Sequence, residues 1–261
     1  MLTSPKTLPG RVAGMLAAVL AAVLALARPV QAETVKVAVA ANFTGPMKQI
    51  AAAFQQATGH EAVLLFGATG KFAAQIANGA PFEVLLAADD ETPRRLEQQG
   101  LVVPGSRYTY AVGRLVLYSA QPGKVDARGE VIKTDRQARV AVANPRVAPY
   151  GVAAMEAMQA MGVRAQVEPR LVMGESISQA FQFAATGNAE LGFVALAQVA
   201  QPGQPAAGSW WVVPESLHSP IRQDAALLQP GRDKPAAHAL LDYLKSEPAR
   251  AVIRSWGYGL Q

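Results

Sequence analysis

Four segments of this sequence run from an apolar stretch through a short polar turn into a helical pattern, and each such junction can hold an anion. The first is VAVAANFTGPM at 37–47, where 37–41 read as a buried strand, 42–45 as a turn and Pro46 as an early helical residue. The second is LLFGATGKF at 64–72, in which Phe66 closes a strand and 67–70 turn into a helix. VAVANPRVAPYG at 140–151 and LVMGESISQAF at 171–181 repeat the arrangement far downstream. The first N–H groups of a helix lack partners within it and lie at its positive end, so strand–turn–helix junctions are ready anion sites. Two early and two late junctions suggest a small anion held between two lobes.

Machinery for bond making is absent from the pattern. His60, His218 and His238 stand far apart and in no metal-ligand spacing, and the chain has no cysteine. No H-E-x-x-H or EF-hand pattern occurs. The run Gly67-Ala-Thr-Gly-Lys71 lacks the spacing of a nucleotide loop, and Phe72 stands where magnesium would need a hydroxyl. Gly174-Glu-Ser176-Ile-Ser178 misses the nucleophile elbow at its last position. Asp89-Asp90 is an adjacent carboxylate pair, read as a strand end capping the helix that follows. No enzyme activity, metal or cofactor is expected.

The elements that must position these junctions follow from the apolar periodicity. Met47, Ile50, Ala51 and Phe54 fall at i, i+3, i+4 and i+7, and Gly59 stands where a helix cap belongs. A strand at 62–66, a helix near 70–78, a strand at 84–88 and a helix over 91–99 follow, then a β-rich stretch over 108–120. Residues 123–136 are charged and non-periodic and read as a surface excursion. The pattern restarts with strands at 139–143, 169–173 and 190–196 and helices at 150–161 and 177–186. A Pro/Gly/Ala loop at 201–208 separates these from SPIRQDAALLQPG at 219–231 and two terminal helices. Met155, Met158 and Met161 read as packing, and Trp210 and Trp211 as part of a strand edge. This is an α/β signature. The periodicity fits either a chain that crosses between two lobes and returns, or two sequential domains.

Residues 1–32 carry Lys6, Arg11 and an unbroken apolar run of sixteen residues from 12 to 27, ending Val30-Gln31-Ala32. That composition predicts a secretory signal peptide cleaved after Ala32, the run being short for a ~30 Å hydrocarbon core. The segment holds three of the 24 basic residues and none of the 19 acidic ones, so the remaining 229 residues carry a net charge of +2. So small a charge argues for neither a nucleic-acid nor a membrane-surface partner. Without cysteine, stability rests on a packed core, which a 51% hydrophobic composition can supply.

VAVAANFTGPM, FGATGKF (66–72), NGAPFEVLLAADD (78–90), ANPRVAPYG (143–151) and GESISQAFQFAATGNAELGFVAL (174–196), in this order, resemble the periplasmic molybdate-binding proteins of molybdenum ABC transporters. LLDYLKSEPARAVIRSWGYG at 240–259 fits the same family. The resemblance implies a two-lobed periplasmic binding protein, each lobe a mixed sheet flanked by helices, with two crossover segments. Residues 33–112 and 222–261 would form lobe 1, and 113–221 lobe 2. It implies a monomer that captures molybdate, and tungstate with it, in the interlobe cleft and delivers it to an inner-membrane ABC permease.

Carried over by position, the resemblance implies oxyanion contacts from Asn42, Thr69, Tyr150 and Ile177. Asn42 stands where many relatives have serine and would donate through its side-chain amide; Thr69 would use its hydroxyl and N–H. Tyr150 would add a phenol, since Ala195 occupies the strand position where some relatives carry a tyrosine. Ile177 offers only its backbone N–H. Glu83 replaces the aspartate usual after Ala-Pro-x. Lys71 reads as a solvated helix-face lysine. Arg146 is the one basic residue near the third junction, which leaves sulfate, phosphate or a small carboxylate as an alternative ligand. A periplasmic lyase on the same scaffold would need an acid or base in the cleft, and Glu175 is its only candidate.

Overall fold

The computed structural model describes residues 32–205 and 207–261; the predicted signal segment falls outside them apart from Ala32. Ten strands form two five-stranded sheets with matching plans. In the first, β1 (Thr34–Ala40) lies between β2 (Glu61–Gly67) and β3 (Val84–Leu86), all parallel. β10 (Ile221–Leu227) then pairs antiparallel with both β3 and β4 (Tyr108–Gly113). In the second, β6 (Val140–Ala143) lies between β7 (Leu171–Gly174) and β8 (Leu191–Ala195), again parallel. β5 (Leu115–Ser119) pairs antiparallel with β8 and with β9 (Ser209–Val212).

Chain crossovers explain why one stretch of β pattern serves two sheets. The β-rich run 108–120 is two strands, β4 in the first sheet and β5 in the second, with only Arg114 between them. The chain returns between β9 and β10, so the two-lobed fold with two crossover segments is what forms, and sequential domains are excluded.

Helices cover both faces of each sheet. In the first lobe, α1 (Thr44–Thr58), α6 (Pro235–Leu244) and α7 (Glu247–Ser255) share one face. There Val35, Val37 and Val39 of β1 pack with Phe54, Leu240 and Ile253. The opposite face packs Ala38 and Leu85 against α2 (Thr69–Ala77) and α3 (Glu91–Gln98) through Phe72, Ile76 and Leu96. Alternate residues of β1 thus serve opposite cores, as a buried parallel strand requires. In the second lobe, α4 (Pro149–Ala160) and α5 (Ile177–Ala185) bury Ala154, Met158, Ala180 and Ala184 against β5, β6 and β8.

Several local readings find their physical reason. Gly59 ends α1 at φ 78°, a left-handed cap only glycine adopts freely. Asp89 Oδ1 accepts from the Thr92 N–H at 2.9 Å, so the Asp89-Asp90 pair serves the start of α3. Trp210 and Trp211 lie on β9, an edge strand of the second sheet. The stretch 123–136 is not wholly a surface excursion, because Val125 and Ile132 are buried in the second lobe's core.

Candidate functional site

At the carboxyl ends of β1, β2, β6 and β7 the chain passes through a short turn into helix, and these four ends meet. They surround a small space lined by Ala40, Asn42, Thr69, Ala88, Tyr150 and Ile177, among others, with about 10 Å³ of room for the centre of a water-sized sphere. One water needs roughly 10–15 Å³ by this measure, so the space as it stands suits only a very small ligand. Open α/β sheets place their ligands at this position, outside the strand ends where the connections diverge. The structure therefore brings Asn42, Thr69, Tyr150 and Ile177 together from both lobes, around one cavity whose lining carries no acidic or basic side chain.

Backbone geometry supplies the donors. Asn42 lies in a single 3-10 turn after β1, Thr69 is the first residue of α2, Tyr150 the second of α4 and Ile177 the first of α5. None of these four N–H groups has an acceptor among the described residues, as expected for helix-initial positions. The Thr69 hydroxyl adds a fifth donor. Its oxygen accepts from the buried Ala88 N–H at 2.9 Å, which fixes the side chain and leaves the hydroxyl proton for the cavity.

Two side chains expected to face the anion turn elsewhere. The Asn42 amide spends both hydrogens inside the protein, on Gln223 Oε1 at 2.9 Å and on the Tyr258 hydroxyl at 3.1 Å. The Tyr150 phenol lies 3.4 Å from Gln223 Nε2, and a Cβ on Gly113 of β4 would overlap it. The Tyr258 hydroxyl donates to the Asn42 carbonyl at 2.8 Å, leaving its oxygen to accept from the Asn42 amide. Burial pushes Tyr110, Tyr150 and Tyr258 above the ordinary phenol range, with nearby tyrosines adding to it for Tyr110 and Tyr150, so all three stay protonated and neutral. The correction is physical: buried amide and phenol groups must be paired, and their partners stand on distant segments. Asn42 and Tyr150 then face the cavity with their backbone N–H groups.

Sequence reading missed Gln223, Tyr110 and Tyr258. The available signal was the Gln223-Asp224 pair beside the apolar end of the IRQDAAL strand, where both polar side chains are buried.

The charged residues nearby stand outside the cavity. Lys71 is not simply solvated; its ammonium pairs with Glu175 across the cleft mouth at 2.8 Å, with both side chains about half exposed. The hydrogen bond and charge of Lys71 hold the Glu175 carboxyl below its usual range, the opposite of what a general acid at neutral pH would need. Arg146 is exposed and absent from the lining. Glu83 accepts from the Lys36 N–H at 2.8 Å, a structural use of its longer side chain. Because the Lys71–Glu175 pair is solvent-exposed, Lys71→Ala is expected to change anion affinity by about threefold or less. Isothermal titration of that variant checks this.

The lobes also meet directly at the cleft. The Gly70 N–H donates to the Val147 carbonyl at 2.9 Å, the Ser178 hydroxyl to the Ala41 carbonyl at 3.3 Å, and Lys71 meets Glu175.

Comparison with known proteins places the chain. The pattern of the family described as bacterial extracellular solute-binding protein matches residues 35–259. Over 236 residues the chain is 56% identical to the molybdate-binding protein ModA of Azotobacter vinelandii, covering 90% of this chain and 94% of that one. Over 234 residues it is 53% identical to the ModA of Rhodobacter capsulatus, covering 89% and 91%. The solved structure of the Azotobacter vinelandii periplasmic molybdate-binding protein superposes with a TM-score of 0.84 at 40% identity, covering 87% of this chain and 99% of its own.

Proposed function

The chain belongs to the bacterial extracellular solute-binding proteins, and we propose that it is the periplasmic component that captures molybdate for an ABC importer. Tungstate, of the same charge and shape, is held with it, and the closed, loaded monomer delivers the anion to the inner-membrane permease. Asn42, Thr69, Tyr150 and Ile177 hold the anion, the first two from one lobe and the last two from the other. The observation that carries this reading is the meeting of four helix-initial N–H groups, two from each lobe, around a small cavity without ionisable carboxylates or cations.

Neutral donors are sufficient for the task. Hydrogen bonds to a charged acceptor contribute ~1.5–3 kcal/mol each. The four N–H groups and the Thr69 hydroxyl together therefore exceed the minimum association cost of ~4 kcal/mol. Helix-end dipoles add to this without committing a full positive charge. Such a ring favours a fully deprotonated anion, because it has no acceptor for an acidic proton. It also selects by size, since a smaller tetrahedron cannot reach donors fixed on both lobes.

Titration calorimetry with molybdate, tungstate, sulfate and phosphate tests this. Molybdate and tungstate are expected to bind with similar affinity. Sulfate would leave donors unpaired at ~1–3 kcal/mol each, so its affinity is expected to be more than tenfold lower. Sulfate binding within tenfold of molybdate contradicts selection by a fixed ring, and absence of molybdate binding overturns the function.

A further inference from the structure

The hydrogen bonds that divert Asn42 and Tyr150 from the cavity converge on one residue. Gln223 is fully buried, on the strand that follows the second crossover. Its Oε1 accepts from the Asn42 amide at 2.9 Å and lies 3.0 Å from the Tyr110 hydroxyl, which also stands 3.1 Å from the Ala87 carbonyl. Its Nε2 faces the Tyr150 hydroxyl at 3.4 Å. Asn42 belongs to the lobe of the first sheet, and Tyr150 starts a helix of the second. Gly113 ends β4 at the first crossover, and a Cβ there would lie 2.6 Å from Gln223 Nε2. The strand register shifts between Gln223 and Asp224, and both side chains are buried, on different partners.

We propose that Gln223 is a positioning residue for anion capture: its buried amide ties Asn42 of one lobe to Tyr150 of the other across both crossovers, so that the two halves of the anion site form together. The anion part rests on the function proposed above. An amide is the side chain the position needs, because it must accept on one side, from Asn42 and Tyr110, and donate on the other, to Tyr150. Loosening it frees the Asn42 and Tyr150 side chains and uncouples two donors that the anion must find simultaneously. The effect on affinity is then carried by the open–closed equilibrium rather than by a lost contact.

The groups facing Gln223 are the Asn42 amide and the hydroxyls of Tyr110 from β4 and Tyr150 from α4, and the Tyr258 hydroxyl stands behind Asn42. Asp224 turns instead to Arg107 and Thr109, and Asp89 to Thr92. Among the described residues, the side chains bonded to Gln223 are all neutral, so none of them would neutralise a carboxylate placed there. In Gln223→Glu the protonated acid reproduces the amide's pattern, accepting through its carbonyl and donating through its O–H. The ionised form cannot donate, and it brings negative charge behind the anion site. A buried glutamate can titrate as high as about 8–9, which puts its transition within a workable range.

The experiment measures molybdate affinity of wild type, Gln223→Met and Gln223→Glu by calorimetry from about pH 6 to 9, with small-angle scattering of each protein free of ligand. The wild type is expected to bind with an affinity flat across this range. Gln223→Met is expected to bind about tenfold more weakly, within the range usual for coupled sites, and to show a larger radius of gyration. Gln223→Glu is expected to bind near wild type at the acid end and to lose affinity as the pH rises. If Gln223→Met fails to fold, the pH profile of Gln223→Glu decides alone, and a profile as flat as wild type overturns the proposal. Equal affinity and equal radius for Gln223→Met overturn it as well. If the wild type itself binds no molybdate, the functional reading falls separately. The ligand-free radii then decide the tie between lobes, equal values overturning it.

Discussion

Replacing Gly70 by valine is expected to weaken molybdate binding by about a hundredfold or more while leaving each lobe folded. Gly70 is the second residue of α2, and its N–H donates to the Val147 carbonyl of the opposite lobe at 2.9 Å. A Cβ at this position would lie 2.9 Å from Val147 Cα and 3.1 Å from Val147 O, both backbone atoms that cannot swing aside. The added methyls of valine deepen the overlap. Overpacking costs about 1–3 kcal/mol where the surroundings can relax. Here relaxation means separating the lobes, so the closed state carries the whole cost and the interlobe hydrogen bond is lost with it. Closure weakened by about 3 kcal/mol corresponds to roughly 150-fold in affinity. Valine is tolerated near the start of a helix, so melting in the absence of molybdate should change little. A variant that binds as tightly as wild type would show that the cleft does not need this approach.

Thr69→Ala is expected to weaken binding by about 10- to 150-fold. The hydroxyl it removes is the one side-chain donor that remains free for the cavity, at ~1.5–3 kcal/mol toward a charged acceptor. The same substitution takes the acceptor from the buried Ala88 N–H, a loss of about 1–3 kcal/mol that lowers the melting temperature as well. Thr69→Ser separates the two causes from simple disruption. It keeps the oxygen in both roles, so it should restore affinity to within a few-fold and recover most of the stability. If serine fails to rescue binding, the threonine methyl and not its hydroxyl matters.

Most of the scaffold was legible in the sequence because each element depends on local periodicity. The i, i+3, i+4, i+7 spacing over Met47 to Phe54 marks the face that α1 buries, and the apolar runs at 37–41 and 140–143 mark central strands. The junctions were legible for the same reason, since a helix start is a local event and its free N–H groups follow from its geometry. Side-chain direction at those junctions was not. The Asn42 amide bonds to residues 181 and 216 positions away, and nothing in ANFTGP encodes where those segments come to lie. Tyr150 was read as a phenol donor because the chain lacks a tyrosine at Ala195. The close approach allowed by Gly113 instead turns the ring toward Gln223. Lys71 likewise found its partner, Glu175, only once the two lobes were brought together.

The central claim is that fixed neutral donors, mostly backbone, hold the anion between the lobes. A crystal structure of the protein with molybdate tests it most directly. The account predicts anion oxygens within hydrogen-bonding distance, about 2.7–3.2 Å, of the N–H groups of Asn42, Thr69, Tyr150 and Ile177 and of the Thr69 hydroxyl. It also predicts the Lys71 ammonium still on Glu175. An anion held instead by the side chain of Lys71 or Arg146, or by groups of one lobe alone, would contradict it.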